Sequence, residues 1–273
     1  MGDKPVVGLF ATCLVDLFRP SVGFAAAKLI EAAECTIVVP RNQTCCGQPA
    51  YNSGDKADAI KIAKRVIRAF RRYDYVVVPS GSCGGMIKKH YPGLFEGKRR
   101  WKKRADDLAA RTFELTEFLS DVIGIGKVVG KFQGIAAYHD GCSGLRELGL
   151  RDQPRKLLAG MDGLAVRELP GRDVCCGFGG TFCVKYPEIS DRMAGDKVQE
   201  IVASGCDTLL AGDMGCLMNL AGKLQREGHK IKVMHVAEVL AGMGHGAGIG
   251  ESAPELKEVA APVSPAPDPA AGS

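Results

Sequence analysis

The chain has 273 residues, 46% hydrophobic and 25% charged, a composition typical of a soluble globular protein with a buried core. Its net charge of +5 comes partly from one local run at 98–104, which is too little to indicate nucleic-acid binding. We interpret that run as a solvated basic loop, with docking to an acidic partner as the alternative. The apolar runs are too short for a signal sequence or a membrane span, so we expect a cytoplasmic protein with no direct membrane span.

The first half reads as alternating strands and helices. The pattern predicts, in chain order, a strand at 6–11, a helix around 24–30, a strand at 36–39, a helix at 55–73 and a strand at 75–78. Cys13 follows the first strand, Cys45-Cys46-Gly47 lies in the loop after the second, and Cys83 follows the third.

The second half repeats this order. Strands are predicted at 134–138, 166–169, 208–211 and 231–235, with helices near 154–158, at 188–203 and at 217–225. The matching cysteines are Cys142, Cys175-Cys176-Gly177 and Cys216. From the first cysteine to the pair there are 31 intervening residues in the first half and 32 in the second.

These patterns predict an α/β fold of two duplicated β-α-β-α-β units with parallel sheets, related by a pseudo-two-fold axis. We place the units at 5–95 and 133–243, with a basic helical connector at 96–132 between them. Gly, Ala and Pro dominate residues 244–273, which predicts a disordered tail.

Eleven cysteines are many for a reducing compartment, where structural disulfides are rare, so metal or cluster ligation is the leading interpretation. The carboxyl ends of parallel strands meet at one sheet edge, where helix N-termini stabilise thiolates. Each half can therefore bring four thiolates together. Structural zinc and a redox dithiol are the alternatives, but both favour C-x-x-C spacing, and Met86 and Asn219 stand where its final cysteine would lie. Thiolates from widely separated loops favour an iron–sulfur cluster.

The matching stretches, among them Thr-Cys45-Cys46-Gly47-Gln-Pro and Val-Cys175-Cys176-Gly177-Phe-Gly-Gly, resemble the cysteine-rich CCG-domain family of iron–sulfur oxidoreductases. That family includes subunits of heterodisulfide reductase, of glycolate oxidase and of a lactate-utilisation system. Met86 and Asn219 depart from the five-cysteine heterodisulfide reductase pattern, and the segments around Cys83 and Cys216 look like the lactate-utilisation branch.

The resemblance implies an iron–sulfur subunit of a flavin-free, multi-subunit L-lactate dehydrogenase. It implies up to two clusters, expected to be [4Fe-4S], one per unit and held by the eight repeated cysteines. It also implies a ferredoxin-type partner, a third small subunit and a small hydroxy-acid substrate. The alternatives are an electron relay in a glycolate-oxidase or heterodisulfide-type complex and a non-catalytic, metal-stabilised scaffold. No flavin or dinucleotide motif is found.

A hydroxy-acid substrate needs a cation for its carboxylate and a base for its hydroxyl proton. The candidates are His139, Arg146 and Arg19, each close in sequence to a predicted cysteine ligand. Cys35, Cys206 and Cys183 are interpreted as core residues, although Cys183 is close enough in sequence to reach the second site.

Overall fold

The computed structural model describes residues 4–128 and 130–251. It contains two four-stranded parallel sheets with helices between the strands, which confirms the predicted α/β fold with two repeated units. The first sheet comprises β1 (Val6–Leu9), β2 (Thr36–Val38), β3 (Tyr75–Val78) and β4 (Thr112–Glu114). The second comprises β5 (Gly130–His139), β6 (Met161–Glu168), β7 (Thr208–Ala211) and β8 (Lys232–His235). Their strand orders, β2-β1-β3-β4 and β6-β5-β7-β8, are equivalent.

Helices connect the strands in both halves. In the first they are Cys13–Phe18, Pro20–Ala32, Gln48–Asn52, Lys56–Ala69, Gly81–Gly85, Tyr91–Leu94, Arg99–Ala110 and Leu115–Glu117. In the second they are Gln153–Leu158, Phe182–Lys185, Pro187–Ala203, Met214–Arg226 and Val236–Leu240. Short π-helical turns occupy Met86–His90, Phe118–Val122 and Gly144–Leu148. Within the described part of the chain, no helix combines the length and the apolar character needed to cross a bilayer.

The first sheet is buried on both faces because its side chains alternate between two cores. Val77 packs in the core that holds the apolar face of helix Pro20–Ala32. Its neighbours Val76 and Val78 point to the opposite core, which holds the apolar face of helix Lys56–Ala69. The first core continues into the second unit, so the two units share buried apolar residues.

The residues predicted as a connector at 96–132 form helix Arg99–Ala110 and also strand β4, which pairs with β3 and was not predicted. In β4, Glu114 caps the following helix and Glu117 completes a capping box. His235 and Glu238 form the equivalent box after β8. Each unit therefore ends in a fourth strand and a capped helix.

The predicted tail lies partly outside the described residues, from 252 onward. Residues 244–251, at its start, contact the second unit: the Ile249 amide donates to the Val233 carbonyl oxygen at 2.7 Å. Strand β5 is longer than predicted because it extends back to Gly130 through a bulge between Lys131 and Gly134.

Candidate iron–sulfur sites

The four repeated cysteines of the first half line one cavity of about 220 Å³: Cys13, Cys45, Cys46 and Cys83. The sulfur atoms of Cys13 and Cys45 lie 3.9 Å apart. Cys13 begins helix Cys13–Phe18, which Thr12 caps, and the Cys83 amide donates to the hydroxyl of Ser80 at 3.3 Å. These cysteines meet because β1, β2 and β3 are parallel and end at the same edge of the sheet.

The second half builds the equivalent cavity, of about 260 Å³, lined by Cys142, Cys175, Cys176 and Cys216. Cys142 follows β5, the vicinal pair lies in the loop after β6, and Cys216 lies in the first turn of helix Met214–Arg226. All eight cysteines are free thiols in the structure.

The glycine of each Cys-Cys-Gly triplet shapes its loop in the same way. Gly47 and Gly177 adopt positive φ angles of 86° and 85°, which L-residues with side chains rarely adopt. This turn aims the glycine amide back at the first cysteine of the pair. The distances from the Gly47 nitrogen to the Cys45 sulfur and from the Gly177 nitrogen to the Cys175 sulfur are both 3.4 Å.

The backbone carbonyl of the second cysteine is also held in both units, by different side chains. The Tyr91 hydroxyl donates to the Cys46 carbonyl oxygen at 2.6 Å, and the Asn219 amide donates to that of Cys176 at 2.8 Å. Asn219 stands where a fifth cysteine would close C-x-x-C, so in this chain the position supports the loop. Tyr91 lies 45 residues from Cys46, and no sequence pattern links it to the site.

In each site the first cysteine of the vicinal pair is strongly acidified by its neighbours. Hydrogen bonds from Cys13 and then from Cys46 lower the pKa of Cys45 to about 2. Hydrogen bonds from Cys142 and then from Cys176 lower the pKa of Cys175 to about 2. Hydrogen bonds that their thiols donate, first to the thiolate of the preceding cysteine and then to Cys83 or Cys216, together with burial, raise the pKa values of Cys46 and Cys176. The pKa of Cys216 is lowered as well, chiefly by a hydrogen bond from Cys176. The first site therefore holds one acidified thiol and the second holds two, each beside further thiols that a bound cation would deprotonate.

This donor set fits an iron–sulfur cluster. Each cavity offers four thiols and is several times the roughly 30 Å³ that one water occupies in the liquid. Backbone amides point at sulfur in both sites, as is typical of protein environments that stabilise clusters. A single zinc would also accept four thiolates, so the donor set defines a soft-metal site rather than one particular metal.

The two cavities are neighbours and share part of their walls. Gln48, Ser82, Phe178, Gly180 and Asp213 line both of them. Asp213 is 6% exposed, and one of its carboxylate oxygens accepts from the Ser80 hydroxyl at 3.0 Å and from the Ser82 amide at 2.9 Å. A carboxylate of the second unit is thereby fixed by the first. Asp213 was not among the predicted site residues, although Ser80 and Asp213 each lie three residues before the last repeated cysteine of their unit.

The structure places the three predicted substrate residues in different surroundings. Arg19 donates to the Glu238 carboxylate at 2.9 Å and to the Ala247 carbonyl oxygen at 2.7 Å, so it joins the first unit to the second. Arg146 donates to the Asp173 carbonyl oxygen at 2.6 Å. His139 is fully buried at the end of β5, with a ring nitrogen within 4.8 Å of the sulfurs of Cys176 and Cys216.

The three remaining cysteines have ordinary surroundings. Cys35 and Cys206 lie in the hydrophobic core, and their thiols contact the carbonyl oxygens of Ala33 and Ile201. Cys183 is partly exposed, and its thiol contacts the Gly180 carbonyl oxygen at 3.6 Å.

The duplicated α/β fold and the two four-cysteine sites define a protein built from two cysteine-rich domains. The sequence profile of the CCG family, described as a cysteine-rich domain, matches residues 7–88 and 136–221. The chain belongs to this family, within the group of relatives named lactate utilization protein A.

The relatives match over nearly their whole length. Lactate utilization protein A of Geobacillus sp. strain WCH70 is 50% identical over 234 residues, covering 86% of this chain and 98% of the relative. The protein of that name from Oceanobacillus iheyensis is 46% identical over 234 residues, covering 86% and 96%. Lactate utilization protein A 2 of Bacillus cereus strain AH820 is 46% identical over 235 residues, covering 86% and 97%.

A solved structure supports the fold alone. A hypothetical protein from Helicobacter pylori superposes with a TM-score of 0.64 at 9% identity, over 89% of this chain. This chain spans 50% of the length of that protein.

Proposed function

We propose that this chain is the iron–sulfur subunit of a multi-subunit enzyme that oxidises L-lactate to pyruvate. The observation that carries the proposal is the pair of neighbouring cavities, each lined by four free cysteines. The substrate is suggested by relatives of 46–50% identity that carry the name lactate utilization protein A.

Cys13, Cys45, Cys46 and Cys83 would hold one cluster, and Cys142, Cys175, Cys176 and Cys216 the other. We assign each a [4Fe-4S] cluster, the type that the family resemblance implies, and the four thiols of each cavity are the ligand set that such a cluster takes. When bound, such clusters accept and release single electrons.

The number of electrons that lactate oxidation releases agrees with the presence of two one-electron sites. Oxidising L-lactate to pyruvate breaks one C–H and one O–H bond and releases two electrons and two protons. Two one-electron centres in one chain can take up the pair in sequence. The ferredoxin-type partner and the third small subunit would then receive the electrons. We place the reaction in the cytoplasm, where thiols remain reduced.

Anaerobic preparation tests the metal assignment directly. Iron and acid-labile sulfide should both be found in amounts consistent with two clusters per chain, and reduction with dithionite should produce electron paramagnetic resonance signals. Zinc with no iron or sulfide would overturn the redox proposal and favour a metal-stabilised scaffold.

Genetics tests the substrate. Deletion of the gene should abolish growth on L-lactate as sole carbon source, and an intact copy should restore it. Undiminished growth of the deletion strain on L-lactate, with a defect on glycolate instead, would contradict the substrate assignment while leaving the clusters intact.

A further inference from the structure

The two sites differ at one buried position that faces sulfur. The residue three places before the first cysteine is Phe10 in the first unit and His139 in the second. Both are fully buried: Phe10 directly follows β1, and His139 is the last residue of the equivalent strand β5. Phe10 packs against Phe70 with ring centroids 5.3 Å apart, and it has no polar atom to offer.

His139 has no hydrogen-bond partner for either ring nitrogen among the described residues. Burying an unpaired imidazole is costly, since a buried polar group normally finds a partner. One ring nitrogen and the sulfurs of Cys176 and Cys216 lie within 4.8 Å of one another. The neutral ring carries one N–H group in either tautomer. The sulfurs of Cys176 and Cys216 are therefore acceptors within reach of this group.

The His139 imidazole does not line the cavity in which a hydroxy-acid substrate could bind. The 260 Å³ cavity is lined by the four cysteines and by side chains such as Gln48 and Glu147, and His139 is not among its lining residues. The fully buried ring is therefore not exposed to the cavity that a small substrate could enter. It is placed to act on the ligands of a bound cluster rather than on a hydroxy acid.

Two backbone contacts at the vicinal cysteines are matched between the units. Gly47 and Gly177 place their amides at the same distance from the first sulfur of each pair, and each second-cysteine carbonyl receives one hydrogen bond. Asp213 lines both cavities, so its charge acts on both sites. Among the described buried groups next to the cysteine sulfurs, the imidazole of His139 has no counterpart in the first unit, whereas Glu147 and His90 line the second cavity at its more exposed side.

We propose that His139 donates its N–H group to the thiolates of Cys176 and Cys216 and thereby gives the second cluster a higher reduction potential than the first. The inference rests on the iron–sulfur assignment made above. Hydrogen bonds to ligand sulfur stabilise the reduced, more negative cluster and raise its potential. The two sites are then unequal, and the first electron to enter the chain resides in the second unit.

Potentiometric titration with dithionite, followed by electron paramagnetic resonance, tests this in the full chain. His139→Phe copies the first unit and should lower the reduction equilibrium constant of the second cluster about tenfold, or about 59 mV for a one-electron couple. His139→Gln keeps an N–H donor and should retain most of the wild-type value. His235→Asn, which removes another buried imidazole of the same unit, is the matched control and should leave both potentials unchanged.

Two further variants assign the signals and guard against a variant that fails to load. Cys45→Ser/Cys46→Ser should leave only the second cluster, whose potential can then be read alone with and without His139→Phe. Phe10→His should raise the potential of the first cluster. Equal potentials in the wild type, or no shift with His139→Phe while iron and sulfide stay at the wild-type amount, would overturn the role of His139.

The outcomes separate this inference from the function on which it rests. Strong nitrogen hyperfine coupling, lost in His139→Phe, would mean that the ring binds iron directly and would also overturn the proposed hydrogen bond. Wild-type chain without iron or sulfide would instead overturn the iron–sulfur assignment itself.

Discussion

The Asp213 carboxylate of the second unit accepts a 3.0 Å hydrogen bond from the Ser80 hydroxyl of the first. The two residues occupy equivalent positions, each capping the helix that carries the last cysteine of its unit. The same carboxylate oxygen accepts from the Ser82 amide, and the other oxygen accepts from the Gly215 amide at 3.1 Å. One buried charge thus fixes both helix starts and the contact between the units.

Asp213→Ala should therefore lower the free energy of unfolding by about 3 kcal/mol, because it leaves buried donors without an acceptor. Ser80→Ala removes one donor and one cap and should cost about 1 kcal/mol. Urea denaturation of the two variants measures both. Equal costs would show that the carboxylate contributes no more than a single hydrogen bond.

Cys46→Ser should abolish the first cluster and leave the second, so that iron and acid-labile sulfide fall to about half. Cys176→Ser should do the reverse. Cys183→Ser is the matched control, because its thiol contacts a carbonyl oxygen and lies outside the two sets of four. Full iron content in Cys46→Ser would exclude Cys46 as a ligand, and iron loss in Cys183→Ser would add a donor to the second site.

Alanine substitutions at three glycines with similar positive φ angles distinguish the stability cost of backbone strain from that of steric crowding. At Gly54 (φ 80°) an added Cβ has no neighbour within 4 Å, so Gly54→Ala should cost only the left-handed conformation, about 1 kcal/mol. At Gly47 (φ 86°) the Cβ would lie 3.1 Å from Ile62, and at Gly177 (φ 85°) it would lie 2.6 Å from the Ser190 carbonyl oxygen. Gly177→Ala should therefore be the most destabilising of the three in thermal unfolding. Equal losses would mean that the backbone at 190 moves away freely.

Glu114 predicts a pH dependence of stability. Burial raises the pKa of this carboxyl from 4.5 to about 7 in the folded chain. Between these values the folded state binds more protons than the unfolded state, so stability falls as pH rises from about 4.5 through 7. The full loss, reached above pH 7, is about 3 kcal/mol.

Glu114→Gln removes this titration, so the loss of stability that this carboxyl causes between pH 4.5 and about 7 should disappear. Urea midpoints of both proteins, taken at intervals from pH 5 to about 8.5, provide the comparison. A wild-type curve that is parallel to that of Glu114→Gln across this range would contradict the raised pKa.

Asp140, buried beside His139, depends on Arg155. The guanidinium contacts both carboxylate oxygens, at 2.9 and 2.8 Å. Arg155→Ala should cost about 3 kcal/mol or more, since it leaves a buried carboxylate unpaired. Glu168→Gln disrupts the more exposed partner of the same arginine and should cost less than about 1 kcal/mol. In a double-mutant cycle, Arg155→Ala should cost less when Asp140 is already asparagine, and strict additivity would exclude the pairing.

The sequence predicted the parallel fold well because its strands are short apolar runs bounded by Pro and Gly. β3 and β7 begin and end where the pattern indicated. β4 escaped prediction because it is three residues long and reads Thr-Phe-Glu, with no apolar run. Its signal was the capping box that follows, which matches the one after β8.

The convergence of cysteines could be anticipated because parallel strands end at one edge of a sheet. The wall that the two cavities share could not be anticipated, because the relative placement of two units depends on which surfaces they bury against each other. Asp213 illustrates this: its local sequence indicates only a helix cap, while its hydrogen bonds to Ser80 and Ser82 cross between the units. The role of Arg19 in joining the units was missed for the same reason.

The contact between Ser80 and Asp213 also bears on how such a chain arose. In a homodimer of a single unit, the residue at this position would face its own copy across the symmetry axis. Two aspartates there would repel each other, and two serines would form only a weak, uncharged pair. The observed pairing of a hydroxyl with a carboxylate needs two copies that are encoded separately, so that one can carry serine and the other aspartate, and the duplicated chain meets this condition.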